Sequence, residues 1–155
     1  MEALLLTLHV VAGILFIGPV AVAASLFPRY APVTAPLVPT GTPPPKERAH
    51  RGLDTASLLH RITRVYGAIA LVVPAAGIVL AIVQGRTTDI WVITAMVLTA
   101  IAGGLLVLQI APRQATALSA PDGGDQLRRL GMLTGIFNLL WTAVVVLMIV
   151  RPGAS

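Results

Sequence analysis

The stretch LLTLHVVAGILFIGPVAVAASLF, residues 5–27, decides the fold. It carries no formal charge, and as a helix rising 1.5 Å per residue it reaches about 35 Å. A bilayer's hydrocarbon core is roughly 30 Å thick and needs about 20 apolar residues to cross. Three more segments have the same character. The apolar runs cover about 3–27, 57–84, 90–111 and 127–150. In lipid, a lone strand leaves its backbone groups unpaired, so each run reads as a helix. The expected fold is all-α, a four-transmembrane-helix bundle in one integral membrane domain covering 1–155.

Composition agrees. Of 155 residues, 56% are hydrophobic and 11% charged, with a mean hydropathy of +0.88. Soluble domains average about 25% charged residues. There is no cysteine, which excludes disulfides, thiolate metal sites and cysteine nucleophiles. A net charge of +5 would suggest nucleic acid in a soluble protein, but here the basic residues follow topology. Arg29, Lys46, Arg48, Arg51, Arg61 and Arg64 flank the first connection, and Arg113, Arg128 and Arg129 the third. Only Arg86 and Arg151 fall on the other side. The positive-inside rule places the basic loops in the cytoplasm and both termini outside. The expected location is a bacterial cytoplasmic (inner) membrane, with anionic headgroups as partners of the basic face and no nucleic acid. Met1 and Glu2 supply no basic n-region, so the first helix reads as retained and not as a signal peptide.

The connection 28–56 holds seven of the twelve prolines, including Pro43-Pro44-Pro45. It reads as an extended tether or a strap across a neighbouring surface. Asp54-Thr55 supply N-cap chemistry for the second helix. At that helix's start, His60, Arg61 and Arg64 read as interfacial anchors or as a docking surface for a partner. Arg29, Arg48, Arg51, Arg128 and Arg129 join them at the same face. Pro74 and Gly77 should kink the helix within the membrane. The turn 84–89 is short, Trp91 follows at the outer interface, and Pro121-Asp122-Gly123-Gly124 marks the turn in 112–126.

Helices in lipid associate through small residues. On helix one, His9, Gly13, Ile17, Ala21 and Ser25 recur every four residues and suggest a packing ridge. On helix four, Gly131 and Gly135 form a GxxxG followed by Asn138 and Thr142, and on helix three Ala95, Thr99 and Gly103 share this spacing. These faces are expected to be buried in the bundle or against a partner. His9 lies about 9 Å below the outer end of its helix, level with Met96 and Thr142. It has three readings: a structural hydrogen bond, a haem or quinone contact, or proton or metal transfer. His60 is displaced from it by roughly 20 Å along the membrane normal, so the two cannot ligate one iron within a subunit. No carboxylate lies within the apolar runs, and no triad, phosphate loop or nucleotide fingerprint is present.

The opening LLTLHVVAGILFIGPVAVAASLFPRYA and the later VVPAAGIVLAI resemble the DUF2269 family of small four-helix membrane proteins along the whole chain. More distantly they are similar to CopD-type copper-resistance domains and HemJ-type protoporphyrinogen oxidases. The first resemblance implies no activity. The last implies a haem-linked role for His9, although that family's later lysine-bearing helix has no counterpart here and Phe16 is the only aromatic soon after the histidine. The copper-type resemblance implies histidine or methionine ligands, for which only Met96 is suitably placed. The leading expectation is therefore a non-catalytic accessory subunit docking on a larger respiratory or transport assembly, with no cofactor firmly implied. A haem-binding redox protein using His9 and a small dimeric transporter are the alternatives.

Overall fold

The computed structural model describes residues 2–34 and 46–152. Within them every regular element is helical. Four helices are long and apolar enough to cross a membrane: α1 (Glu2–Tyr30), α2 (Lys46–Ile69, continued as Val72–Val83), α3 (Ile90–Ser119) and α4 (Asp125–Val150). This is the architecture of a multi-pass membrane protein.

Three prolines shape these helices, because each lacks the N–H that would bond the carbonyl four residues back. Before Pro19, α1 widens into a π-turn at Gly13–Ile17. Before Pro112, α3 does the same at Leu106–Ile110, where the Ala111 N–H reaches the Leu106 carbonyl. Such turns let a proline ring pass without breaking the helix. Pro74 acts differently. It would have bonded the Ala70 carbonyl, and α2 breaks at 70–71 instead, with the Val73 N–H taking that carbonyl at 3.0 Å. The kink expected from Pro74 is therefore present, one turn before the proline.

Three boundaries differ from expectation. The second helix begins at Lys46 and not near 57, so Asp54 and Thr55 lie inside it and not at its N-terminus. The sequence KERAHRGLDTA reads as a loop because it is charged, yet it suits a helix projecting beyond the membrane, and Ala56 and Leu59 are buried on one face. Pro28 likewise sits in the last turn of α1. The strap is shorter than 28–56, and Pro43-Pro44-Pro45 lie outside the described residues. The third helix does not stop at 111. The π-turn at Leu106–Ile110 accommodates Pro112, and α3 continues to Ser119.

At the end of the bundle carrying most arginines, the four helices close on one another. The inner part of α1 packs against α2 and α4, α3 against α4, and the 111–119 segment against α2. Phe27, Ile110, Leu130 and Phe137 fill this core around Ala23, Ala24, Ala56 and Ala102. Phe137 and Trp141 meet edge-on, with centroids 6.2 Å apart. The chain leaving α1 is stitched to the α3–α4 turn by the Thr34 N–H, which donates to the Asp122 carbonyl at 3.0 Å. Asp122's carboxylate accepts from the Gly124 and Gln126 amides, and Gly124 takes the left-handed φ of 105° that this turn requires.

Toward the end carrying the termini, the helices pair off, 2–12 with Val72–Val83 and Ile90–Leu105 with α4. The second pair is clasped at its tip. Trp91 Nε1 donates to Asp89, Asp89 pairs with Arg86 at 3.9 Å, and the Arg151 guanidinium stacks over the Trp91 ring at 5.8 Å.

Ala24 is fully buried where α1 meets its neighbours. Ala24→Leu should destabilise the bundle by about 1–3 kcal/mol through overpacking, measured as a lower Tm in detergent.

Candidate functional site

His9 is 7% exposed. Its Nδ1 stands 3.1 Å from the Val73 carbonyl, to which the Nδ1–H donates, leaving Nε2 as the ring's lone-pair nitrogen. The ring lies against Gly77, where an added Cβ would stand 2.9 Å from its Cε1. The break in α2 explains this partner, because it aims 72–83 at the first turns of α1. The neighbours expected from depth alone are not the ones found. Thr142 bonds the Asn138 carbonyl on its own helix, and Met96 is 44% exposed. Gly77, read as a kink residue, is the seat of the imidazole.

The four-residue ridge on α1 does not form one buried seam. At 3.6 residues per turn, steps of four drift by about 40° each, and the π-turn at Gly13–Ile17 changes the count again, so four-residue spacing does not define one face here. The seam at the basic end is Val20, Ala23, Ala24 and Phe27, while Gly13 touches Val73 and Ala21 and Ser25 lie beside it. Ser25 still reaches α4, accepting from Asn138 Nδ2 at 3.0 Å. Among the described residues, Asn138 Oδ1 and Trp141 Nε1 are buried without a partner. A groove of about 310 Å³ lined by Ala21, Val22, Ser25, Leu26 and Asn138 runs beside this contact.

The GxxxG on α4 is not buried in the bundle. The core stripe of α4 is Leu127, Leu130, Thr134, Phe137 and Val144, a seven-residue repeat that leaves Gly131 and Gly135 outside. Nothing lies within 4 Å of where either glycine's Cβ would be, and Thr142 is exposed on the same side.

A second polar cluster joins α2 to α3. His60 Nδ1 stands 3.1 Å from Gln114 Oε1, and Gln114 Nε2 donates to Thr63 Oγ1 at 3.5 Å. Thr63 in turn donates to the Leu59 carbonyl. Gln114 is fully buried and Thr63 nearly so. Sequence reasoning missed Gln114 by ending the helix before it. The signal was present, since Leu106, Ile110, Gln114 and Ala117 keep the spacing of one helical face across Pro112. His60 thus faces the bundle, while Arg61 and Arg64 are exposed beside it. Arg29, Arg128 and Arg129 are exposed at the same end, and Arg128 pairs with Asp125 at 2.8 Å. The side chains of Arg48 and Arg51 fall outside the described residues. Among the described residues, no group of three or more metal-ligating side chains comes together.

Chemically, these contacts cross-link helices. Gln114→Leu should strand the His60 donor and lower stability by about 1–3 kcal/mol. Gly77→Val should cost a similar amount by evicting the imidazole, and much less when combined with His9→Ala, which vacates the same space. Chemical unfolding of the purified variants measures both effects.

Comparison of the chain with protein-family models, curated proteins and solved structures gives no match, so the site stands on its own geometry.

Proposed function

We propose that the chain is a non-catalytic accessory subunit that docks laterally onto a larger bacterial membrane assembly, with α4 as the docking helix. One observation carries this reading. Gly131 and Gly135 offer a shallow, side-chain-free track on the lipid side of α4, and among the described residues nothing covers it. Small-residue tracks of this kind let a second helix approach closely enough for dispersion contacts and weak backbone interactions. The proposal includes the orientation. Nine basic residues against two place the basic end in the cytoplasm of a bacterial inner membrane, where Arg29, Arg61, Arg64 and Arg129 meet anionic headgroups.

The test is purification in gentle detergent from native levels, with co-purifying integral membrane subunits identified. Co-purification should be lost in Gly131→Leu/Gly135→Leu, while helicity and Tm hold because both sites open outward. A homogeneous monomer from the unaltered protein would overturn the proposal. Orientation is checked separately. The chain has no native cysteine, so Thr87→Cys should react with an impermeant thiol reagent from the periplasmic side and Ser119→Cys only after permeabilisation.

A second reading has one specific support. A histidine whose Nδ1–H is held by a backbone carbonyl presents its Nε2 as metal-ligating histidines do. A haem-binding protein using His9 would show a Soret band that His9→Ala abolishes, and a colourless pure protein would dismiss it.

A further inference from the structure

At the basic end, α3 and α4 leave a crevice of about 380 Å³ lined by Arg113, Thr116, Asp122, Asp125, Gln126 and Arg129. The volume falls within the range of small-ligand sites. Each of these lining residues carries a polar or charged group, and the crevice begins just past Ile110, the last buried apolar residue before Pro112 on α3. That is the level at which lipid headgroups lie beside a spanning helix.

The charges in the crevice are not mutually satisfied. Arg113 uses its Nε on Gln109, which leaves the two terminal nitrogens of the guanidinium as donors. Arg129 forms no ion pair among the described residues. Both Asp122 oxygens accept backbone amides. Asp125 gives one oxygen to Arg128, and its other oxygen faces no donor among the described residues. The lining therefore combines two guanidiniums that keep free N–H donors with carboxylate oxygens that can still accept. A purely anionic ligand would meet Asp122 and Asp125 unfavourably, and a purely cationic one would meet Arg113 and Arg129.

We propose that this crevice binds the zwitterionic phosphoethanolamine headgroup of a phospholipid, with the phosphodiester held by Arg113 and Arg129 and the ammonium donating to Asp125 and Asp122. Guanidinium forks match phosphate oxygens in geometry as well as charge. A primary ammonium brings N–H donors to the carboxylates, which a choline headgroup lacks. This site is independent of the α4 docking stripe, since its residues lie on the other side of the Leu127 and Leu130 core positions.

Native mass spectrometry of the full chain, released from nanodiscs of equal parts phosphatidylethanolamine, phosphatidylcholine and phosphatidylglycerol, reads the retained lipid directly. Phosphatidylethanolamine should be retained over each of the others by about threefold, the scale of one exposed ion pair. Arg113→Gln/Arg129→Gln should abolish that preference, and Asp125→Asn should shift retention toward phosphatidylglycerol. These exposed positions leave the core intact, and unchanged helicity of the variants verifies it. Equal retention of all three lipids, a preference for phosphatidylglycerol in the unaltered protein, or a preference untouched by the double arginine variant would each overturn the proposal. Free phosphoethanolamine or inorganic phosphate at millimolar concentration separates the sources. Displacement of the lipid by neither supports a site for the anchored headgroup, and equal binding of inorganic phosphate alone would overturn it.

Discussion

Every backbone amide and carbonyl in the hydrocarbon region must find its partner within the protein, because lipid supplies none. Much of this structure follows from how three prolines are reconciled with that demand. Pro19 and Pro112 are each preceded by a π-turn, which rotates the helix beyond it relative to the helix before it. Pro74 is met by a break, which redirects 72–83 toward the start of α1. These repairs set the contacts. His9 meets Val73 because α2 bends there, and Gln114 reaches His60 because α3 continues through Pro112.

The polar side chains inside the bundle follow the same economy. Thr63 and Thr134 return their hydroxyls to carbonyls on their own helices, and Thr7 and Thr94 do so nearer the terminal end. His9, His60, Gln114 and Asn138 instead bridge two helices. Such bridges fix register more than they add energy, since measured values in membranes average about 0.6 kcal/mol. The His9 bridge ties α1 to α2 near the terminal end, and the His60 cluster ties α2 to α3 near the basic end. The Ser25–Asn138 bridge ties α1 to α4. Three of the four sides of the bundle thus carry a side-chain bridge, and the fourth, between α3 and α4, relies on apolar packing and the Trp91 clasp.

The four spans and the proline kink were legible in the sequence because both depend on local chemistry. Length, absence of charge and a missing N–H act within a few residues. What was not legible depends on rotation accumulated along a helix. The stripe from His9 to Ser25 looked continuous when counted in fours, yet with a π-turn between them His9 meets α2 and Ser25 meets α4. Depth alone matched His9 with Met96 and Thr142, whereas the bend in α2 supplied Val73 and Gly77. Charge likewise misled at 46–56, where a helix outside the apolar zone has no need of apolar periodicity. The GxxxG was recognisable as a contact motif, but only the seven-residue core stripe of α4 shows which side of the helix it occupies.

That last point has a consequence for how the chain meets its surroundings. A four-helix bundle of 155 residues must bury one stripe per helix to hold together, and α4 uses larger side chains for this, with Phe137 and Leu130 at its centre. Had Gly131 and Gly135 been the internal stripe, α4 would sit closer to α1 and leave no room for Phe27 or Phe137. Placing the large residues inward and the glycines outward gives the isolated bundle its core while keeping one helix face flat. Flatness brings no benefit against lipid, since acyl chains conform to ridges and flat surfaces alike, and each glycine weakens the helix by about 1 kcal/mol relative to alanine in water-based scales. On the proposed reading, what offsets that cost is a second helix lying against the flat face.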